Sequence, residues 1–211
     1  MPSRRPQVFI VAALILMHAT VASAQTQVPP QQQSYQQIVD DAEFLTAEVP
    51  TAWNDVNTGA WVVDDRTIGV FVTAAPDLAA FAANSGPGVF VGLTHEGLPE
   101  QHITEQPGEA LAARSAEIVN RGKGRFGGCR WGAKIEKLLD AHYVGAYDIA
   151  SQCERDGGRG QFAAAEIMPL SQNYRLSLRV GLYSQSDRAA LDHILHSIQV
   201  LNPQMADLHD E

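Results

Sequence analysis

Apolar and polar positions alternate most cleanly over residues 174–183, where Tyr174, Leu176, Leu178, Val180 and Leu182 interleave with Arg175, Ser177, Arg179 and Gly181. Successive side chains of an extended chain point to opposite faces. The pattern therefore predicts a strand with one buried face and one at least partly wet, as in an antiparallel sheet. Residues 43–49 repeat it, with Leu45, Ala47 and Val49 on one side and Pro50 ending the run. Residues 67–74 carry the β-branched and aromatic content of a strand in Ile68, Val70, Phe71 and Val72. Further strands are predicted over 89–94, after Gly86-Pro87-Gly88, and over 143–151 and 161–168, the last two separated by the turn residues Asp156-Gly157-Gly158.

Helical spacing appears in three places. Leu191, Ile194, Leu195 and Ile198 fall at i, i+3, i+4 and i+7 of a helix from 187 to about 200, with Ser186 as N-cap and the apolar stripe laid over the sheet. Residues 109–120 place Leu111, Ser115, Ile118 and Val119 on one stripe between Pro107 and Gly122. Pro76-Asp77 opens a short helix through Phe81. Strands outnumber helices and hairpins join several of them. The expected fold class is therefore α+β, an α/β/α sandwich whose mainly antiparallel sheet is flanked by helices, with a doubly wound parallel sheet as the alternative.

The first residues change the picture by setting a compartment. Arg4 and Arg5 precede the apolar run from Val8 to Met17, and Ala22-Ser23-Ala24 supply small residues for cleavage. Residues 1–24 read as a secretory signal peptide, too short in their apolar part for a stable span. Residues 25–36 are a Gln/Pro spacer with almost nothing to bury and are expected to be disordered. Residues 37–201 form a single domain, and 202–211 a flexible acidic tail. The expected location is secreted or periplasmic, with no stable membrane insertion after signal cleavage. Export into an oxidising compartment predicts that the two cysteines, Cys129 and Cys153, pair. Closing a loop of roughly 25 residues stabilises by about 3 kcal/mol.

Charge narrows the partners. The chain carries a formal −9. Without the signal, 13 basic residues face 24 acidic ones, leaving −11. Nucleic acid is excluded as a partner on this ground, because affinity for it comes mainly from Lys and Arg displacing counterions. Unassisted docking on anionic lipid is disfavoured by the same sign.

No chemistry-bearing motif survives inspection. Gly122-Lys123-Gly124-Arg125-Phe126-Gly127 matches G-x-G-x-x-G, but the dinucleotide motif needs a strand before it and a helix after it, and here a helix precedes. Arg121, Lys123, Arg125 and Arg130 make that loop a local basic spot. His193 and His196 sit three apart opposite the apolar stripe, without a cysteine or a close set of carboxylates to complete a metal site. His95 and His102 flank Glu96 and Glu100 in a loop. A serine hydrolase of the G-x-S-x-G type is not encoded. Trp53, Trp61 and Trp131 are expected to fill core rather than line a pocket. No catalytic, cofactor-binding or metal-binding residue is assigned, and no cofactor is expected; the alternatives are a small secreted hydrolase or metal-dependent enzyme using His95, His102 or the histidines of the last helix, and a structural envelope protein.

From about residue 44 to 200 the chain nevertheless resembles a known family. The residues concerned are Glu48-Val49-Pro50 with Trp53-Asn54-Asp55-Val56, Ala74-Ala75-Pro76-Asp77-Leu78 with Phe81, and Gly86-Pro87-Gly88-Val89-Phe90. Cys129, Gly145-Ala146-Tyr147-Asp148, Cys153 and the closing Leu191–Ile198 stretch follow in order. This set is similar to a secreted PsbP-like domain of the kind appended to bacterial trypsin-like serine proteases, here expected to stand without the protease. The resemblance implies an α/β/α sandwich and a non-catalytic accessory or binding role. Against that pattern, residues 134–142 look longer and more helical. The expected partner is a protein or envelope component, met by the partly polar sheet face of Arg175, Ser177 and Arg179.

Overall fold

A computed structural model describes residues 33–123, 129–132, 135–139, 142–155 and 158–202. Residues 1–24, read above as a signal peptide, most of the expected spacer, the Gly124–Gly127 part of the glycine-rich motif, Asp156-Gly157 and most of the expected tail lie outside the described residues.

The chain enters through a hairpin of β1 (Tyr35–Val39) and β2 (Leu45–Pro50), with Ile38 opposite Ala47. Its turn is organised by the buried Asp40, whose carboxylate accepts from the backbone N–H groups of Ala42, Phe44 and Leu45. The strand starts inside the Gln-rich segment, ahead of the expected boundary. Gln36 and Gln37 are drawn in by pairing with Val49 and Glu48, and the Gln36 amide donates to the Trp53 carbonyl at 3.2 Å.

The elements that follow are β3 (Asp55–Val63), β4 (Arg66–Ala75), α1 (Leu78–Ala82), β5 (Gly88–Thr94) and α2 (Pro107–Gly122). After these come β6 (Cys129–Arg130), β7 (Glu136–Leu139), β8 (Tyr143–Arg155), β9 (Gly158–Pro169), β10 (Arg175–Leu182), α3 (Gln185–Ser197) and β11 (Gln199–Val200). The large sheet runs β3-β4-β5-β10-β9-β8-β6, with β7 also on β8, and a smaller one runs β1-β2-β11. Every pairing among the described residues is antiparallel, so the parallel alternative fails.

Three layers result. Leu176, Leu178 and Val180 of β10, with Val89 and Val91 of β5 and Val70 and Val72 of β4, bury one face of the large sheet. Leu191 and Ile194 of α3, together with Leu45, Val49 and Trp53, share this core. Each large aliphatic side chain buried here contributes about 1.5–3 kcal/mol relative to exposure. The opposite face carries α1 and α2, and Leu111 and Ala112 of α2 pack on Val144 and Met168. This is the expected α/β/α sandwich.

Three local readings change, and one strand, β3, was not predicted. β3 shows no clean alternation because it is an edge strand, largely exposed, with a register shift between Trp61 and Val62. The segment expected to be more helical contains a strand, β7, whose half-buried Leu138 packs on the main core opposite Gly145. The N-cap of α3 is Ser184, not Ser186. Its hydroxyl accepts from the Asp187 N–H, while the Asp187 carboxylate accepts from the N–H groups of Ser184 and Tyr183 at 2.7 and 2.9 Å, a capping box. The helix stops at Ser197, because Ile198 turns extended and Gln199 and Val200 pair with β2.

Candidate functional site

On the outer face α1 lies on β4 and β5 and α2 on β8 and β9, with a gap over β10 between these two pairs of strands. The gap is a cleft of about 690 Å³. Its floor is Arg175, Ser177 and Arg179 from β10, with Glu166 and Ala164 from β9. Trp61 and Phe90 form one wall; Leu78 and Phe81 of α1, and Ile118 and Val119 of α2, form the flanks.

Two glycines make this surface possible. A Cβ on Gly92 would come within 2.5 Å of the Trp61 ring, and one on Gly88 within 2.7 Å of Phe81. The absence of a side chain at these two positions, on either side of Phe90, lets both rings lie against the strand. Trp61 then meets Phe90 edge to face, with centroids 5.3 Å apart, and Phe71 stacks on Phe90 at 5.6 Å.

The polar floor divides in two. Arg175 Nη1 donates to Glu166 Oε2 at 2.6 Å and to Ser177 Oγ at 3.0 Å, while its Nε donates to the Glu96 carbonyl at 2.9 Å. Ser177 donates its hydroxyl to the Glu166 carboxylate at 2.8 Å. The Arg175 and Glu166 side chains are only 11% and 14% exposed, so this is a largely buried, mutually satisfied network. Arg179 stands apart. Its guanidinium lies 4.6 Å from the centre of the Phe81 ring, with Nη2 3.4 Å from the Phe81 carbonyl. Its buried Nε has no hydrogen-bond partner, and no carboxylate among the described residues lies within ion-pair distance. Burial lowers its pKa from the ordinary guanidinium value, with a smaller opposing contribution from nearby Tyr183.

The three β10 residues singled out by alternation are thus neighbours in one cleft. They lie half-buried on its floor, between the two helices. Glu166, which ties two of them together, was not foreseen; its signal was a lone carboxylate in the apolar run Phe162–Met168, and only the register of β9 on β10 places it opposite Ser177. Trp61 lines the cleft, contrary to expectation, whereas Trp53 is core.

The sulfurs of Cys129 and Cys153 lie 2.06 Å apart, on residues directly opposite in the β6–β8 pairing, and pack near Phe162 and Trp131. Lys123, from the glycine-rich motif, caps the C-terminal end of α2. Its Nζ is 2.6 Å from Asp148 Oδ2 and 5.7 Å from the Trp131 ring centre. The histidines serve separate local contacts. His193 stacks on Tyr35 at 3.6 Å and sits 2.7 Å from Glu48, while His196 Nδ1 bonds the Asp192 carbonyl. His95 Nδ1 bonds the Asn173 carbonyl, and His102 is exposed. Among the described residues no three His, Cys, Asp or Glu side chains are grouped to hold a metal ion, and no helix is long and apolar enough to cross a membrane.

No family model and no curated protein matches the chain. Among solved structures it is similar to the Ran-binding protein Mog1p of Saccharomyces cerevisiae, with TM-score 0.48 and 9% identity over 81% of this chain and 97% of that one. It is also similar to cyanobacterial PsbP of Synechocystis, with TM-score 0.45 and 12% identity over 82% of this chain and 95% of that one. These likenesses concern the course of the backbone, and no residue's role is carried across from them.

Proposed function

We propose that this chain is a non-catalytic, exported binding or accessory domain that receives part of a protein or envelope partner in the cleft floored by Arg175, Ser177 and Arg179. The observation that carries the reading is the cleft itself. Its volume is within the range of ligand sites, its walls are aromatic and aliphatic, and a few polar groups converge at its base. The floor chemistry favours binding over catalysis. A serine nucleophile must lose its proton to a positioned base. Among the described residues the only group Ser177 donates to is Glu166, whose lone pairs already face the Arg175 guanidinium. The export half of the proposal rests on residues 1–24 and on the cysteine pair, and free thiols at Cys129 and Cys153 in exported material would remove that support.

The test compares protein recovered from the exported fraction with an Ala164→Trp variant, which fills the cleft from its half-buried floor. An envelope component retained by the natural chain and lost by the variant, at unchanged melting temperature, is the expected result. Equal retention by both overturns the reading. So does turnover of ester or peptide substrates that Ser177→Ala abolishes, which would make the domain a hydrolase.

A further inference from the structure

The geometry points to Arg179 as the anchor for a carboxylate borne on a flat apolar body, bound in the cleft between α1 and α2. This rests on the cleft being the binding site and adds the class of group it takes.

Charge pairing together with burial singles the residue out, since Arg121, which also lacks a carboxylate among the described residues, is exposed. The cleft is lined by Arg121, Arg175 and Arg179 and by Glu96 and Glu166. Both carboxylates have a guanidinium of their own, Arg175 for Glu166 and Arg66 for Glu96 at 3.1 Å. Arg179 has neither a carboxylate nor more than one long contact to an oxygen among the described residues, although a guanidinium offers five N–H donors. Buried donors and charges in proteins are ordinarily paired. A half-buried guanidinium at the base of a cleft, held by the Phe81 ring and carbonyl but without a counter-anion among the described residues, is suited to a ligand anion.

Its neighbours specify the anion. Arg179 is flanked across the strands by Phe90 on β5 and Ala164 on β9. Phe90 and Trp61 present apolar ring surface beside the charge, and the small Ala164 leaves space on the other side. A planar fork matches the two oxygens of a carboxylate. A phosphate dianion fits less well, because Glu96 and Glu166 line the same cleft in a chain of net charge −9. A free small acid and the terminal carboxylate of a partner chain present the same head, and the test separates them.

The probes are 4-phenylbutyrate, its neutral amide, a peptide ending in phenylalanine as free acid and as amide, and inorganic phosphate, each titrated by calorimetry with Trp61 indole N–H shifts as a second readout. We expect either acid to bind about tenfold more tightly than its amide, the loss of one charge-assisted contact. Arg179→Gln should abolish that preference and Arg179→Lys should retain part of it, with the fold of both variants checked by their spectra. Tighter binding of the peptide acid identifies a partner's terminus as the source; binding of phenylbutyrate alone identifies a free small acid. Equal affinity for acid and amide, a preference unchanged in Arg179→Gln, phosphate competing as well as the acids, or no saturable binding at millimolar concentration each overturns the assignment. If envelope retention still depends on Ala164 while no acid is preferred, only the carboxylate inference fails and the cleft reading stands.

Discussion

Changing Lys123 to Met should strip the counter-charge from a buried carboxylate at the end of α2 that adjoins the cleft. Asp148 is only 4% exposed, its Oδ1 accepts from the Ile149 N–H at 2.7 Å, and its Oδ2 has no hydrogen-bond partner beyond the ion-pair contact with Lys123. Breaking one half of a buried pair costs about 3–5 kcal/mol, because the remaining charge is left in low dielectric. Lys123 is 16% exposed and sits at a helix end where water has some access, which places Lys123→Met at the low end, about 3 kcal/mol. The reverse change, Asp148→Leu, leaves an ammonium on a flexible stem that can turn outward, so we expect about 1–2 kcal/mol. The double variant should recover much of the loss, with a coupling energy of about 1.5 kcal/mol or more. Urea unfolding read by tryptophan emission, compared at constant m, supplies all three values, and melting of Lys123→Met should fall by about 6–12 °C for a domain of this size. A loss below about 1 kcal/mol for Lys123→Met, or two single effects that simply add, would refute the view that charge pairing holds this end of α2.

Gly92→Ala should push Trp61 off β5, since the new Cβ meets its ring at 2.5 Å; overpacking of about 1–3 kcal/mol and altered near-ultraviolet circular dichroism are expected, and an unchanged spectrum contradicts the packing described. Among the five tyrosines, Tyr147 is pushed up to about 12, first by its hydrogen bond to Glu136 and then by burial, and Tyr174 is raised further, first by burial and then by its bond to Tyr143. Their folded pKa values lie above the unfolded value near 10, so the stability they contribute is fully present below pH 10 and is lost as pH rises toward the folded values. Ultraviolet titration should therefore show at least two phenols still protonated at about pH 11 in the folded protein; five ionising together near 10 would exclude these environments. Ser184→Ala should cost about 1 kcal/mol and Asp187→Ala about 2, because the carboxylate accepts from two backbone N–H groups and the hydroxyl from one, an ordering that chemical denaturation checks.

Much of the fold could be read from local pattern. The period of two over 174–183 and the helical stripes at 109–120 and 187–198 identify elements by which residues must be buried, and burial is the largest favourable term in folding. The edge strand β3 escaped because neither of its faces is consistently buried, and β7 because four residues with one half-buried leucine carry too little periodicity to be told from a helix. At the candidate site, alternation alone put Arg175, Ser177 and Arg179 on one face of a strand. That Glu166 binds the first two, while Arg179 stands opposite Ala164 with no carboxylate beside it among the described residues, follows only from the register of β9 on β10. That the face is a cleft and not an open surface follows from where α1 and α2 land. Helix placement is set by contacts between residues far apart in the chain; Glu166 and Arg175 are only nine residues apart, but alternation within each strand does not say which residue of β9 stands opposite which of β10 until the hairpin register is fixed.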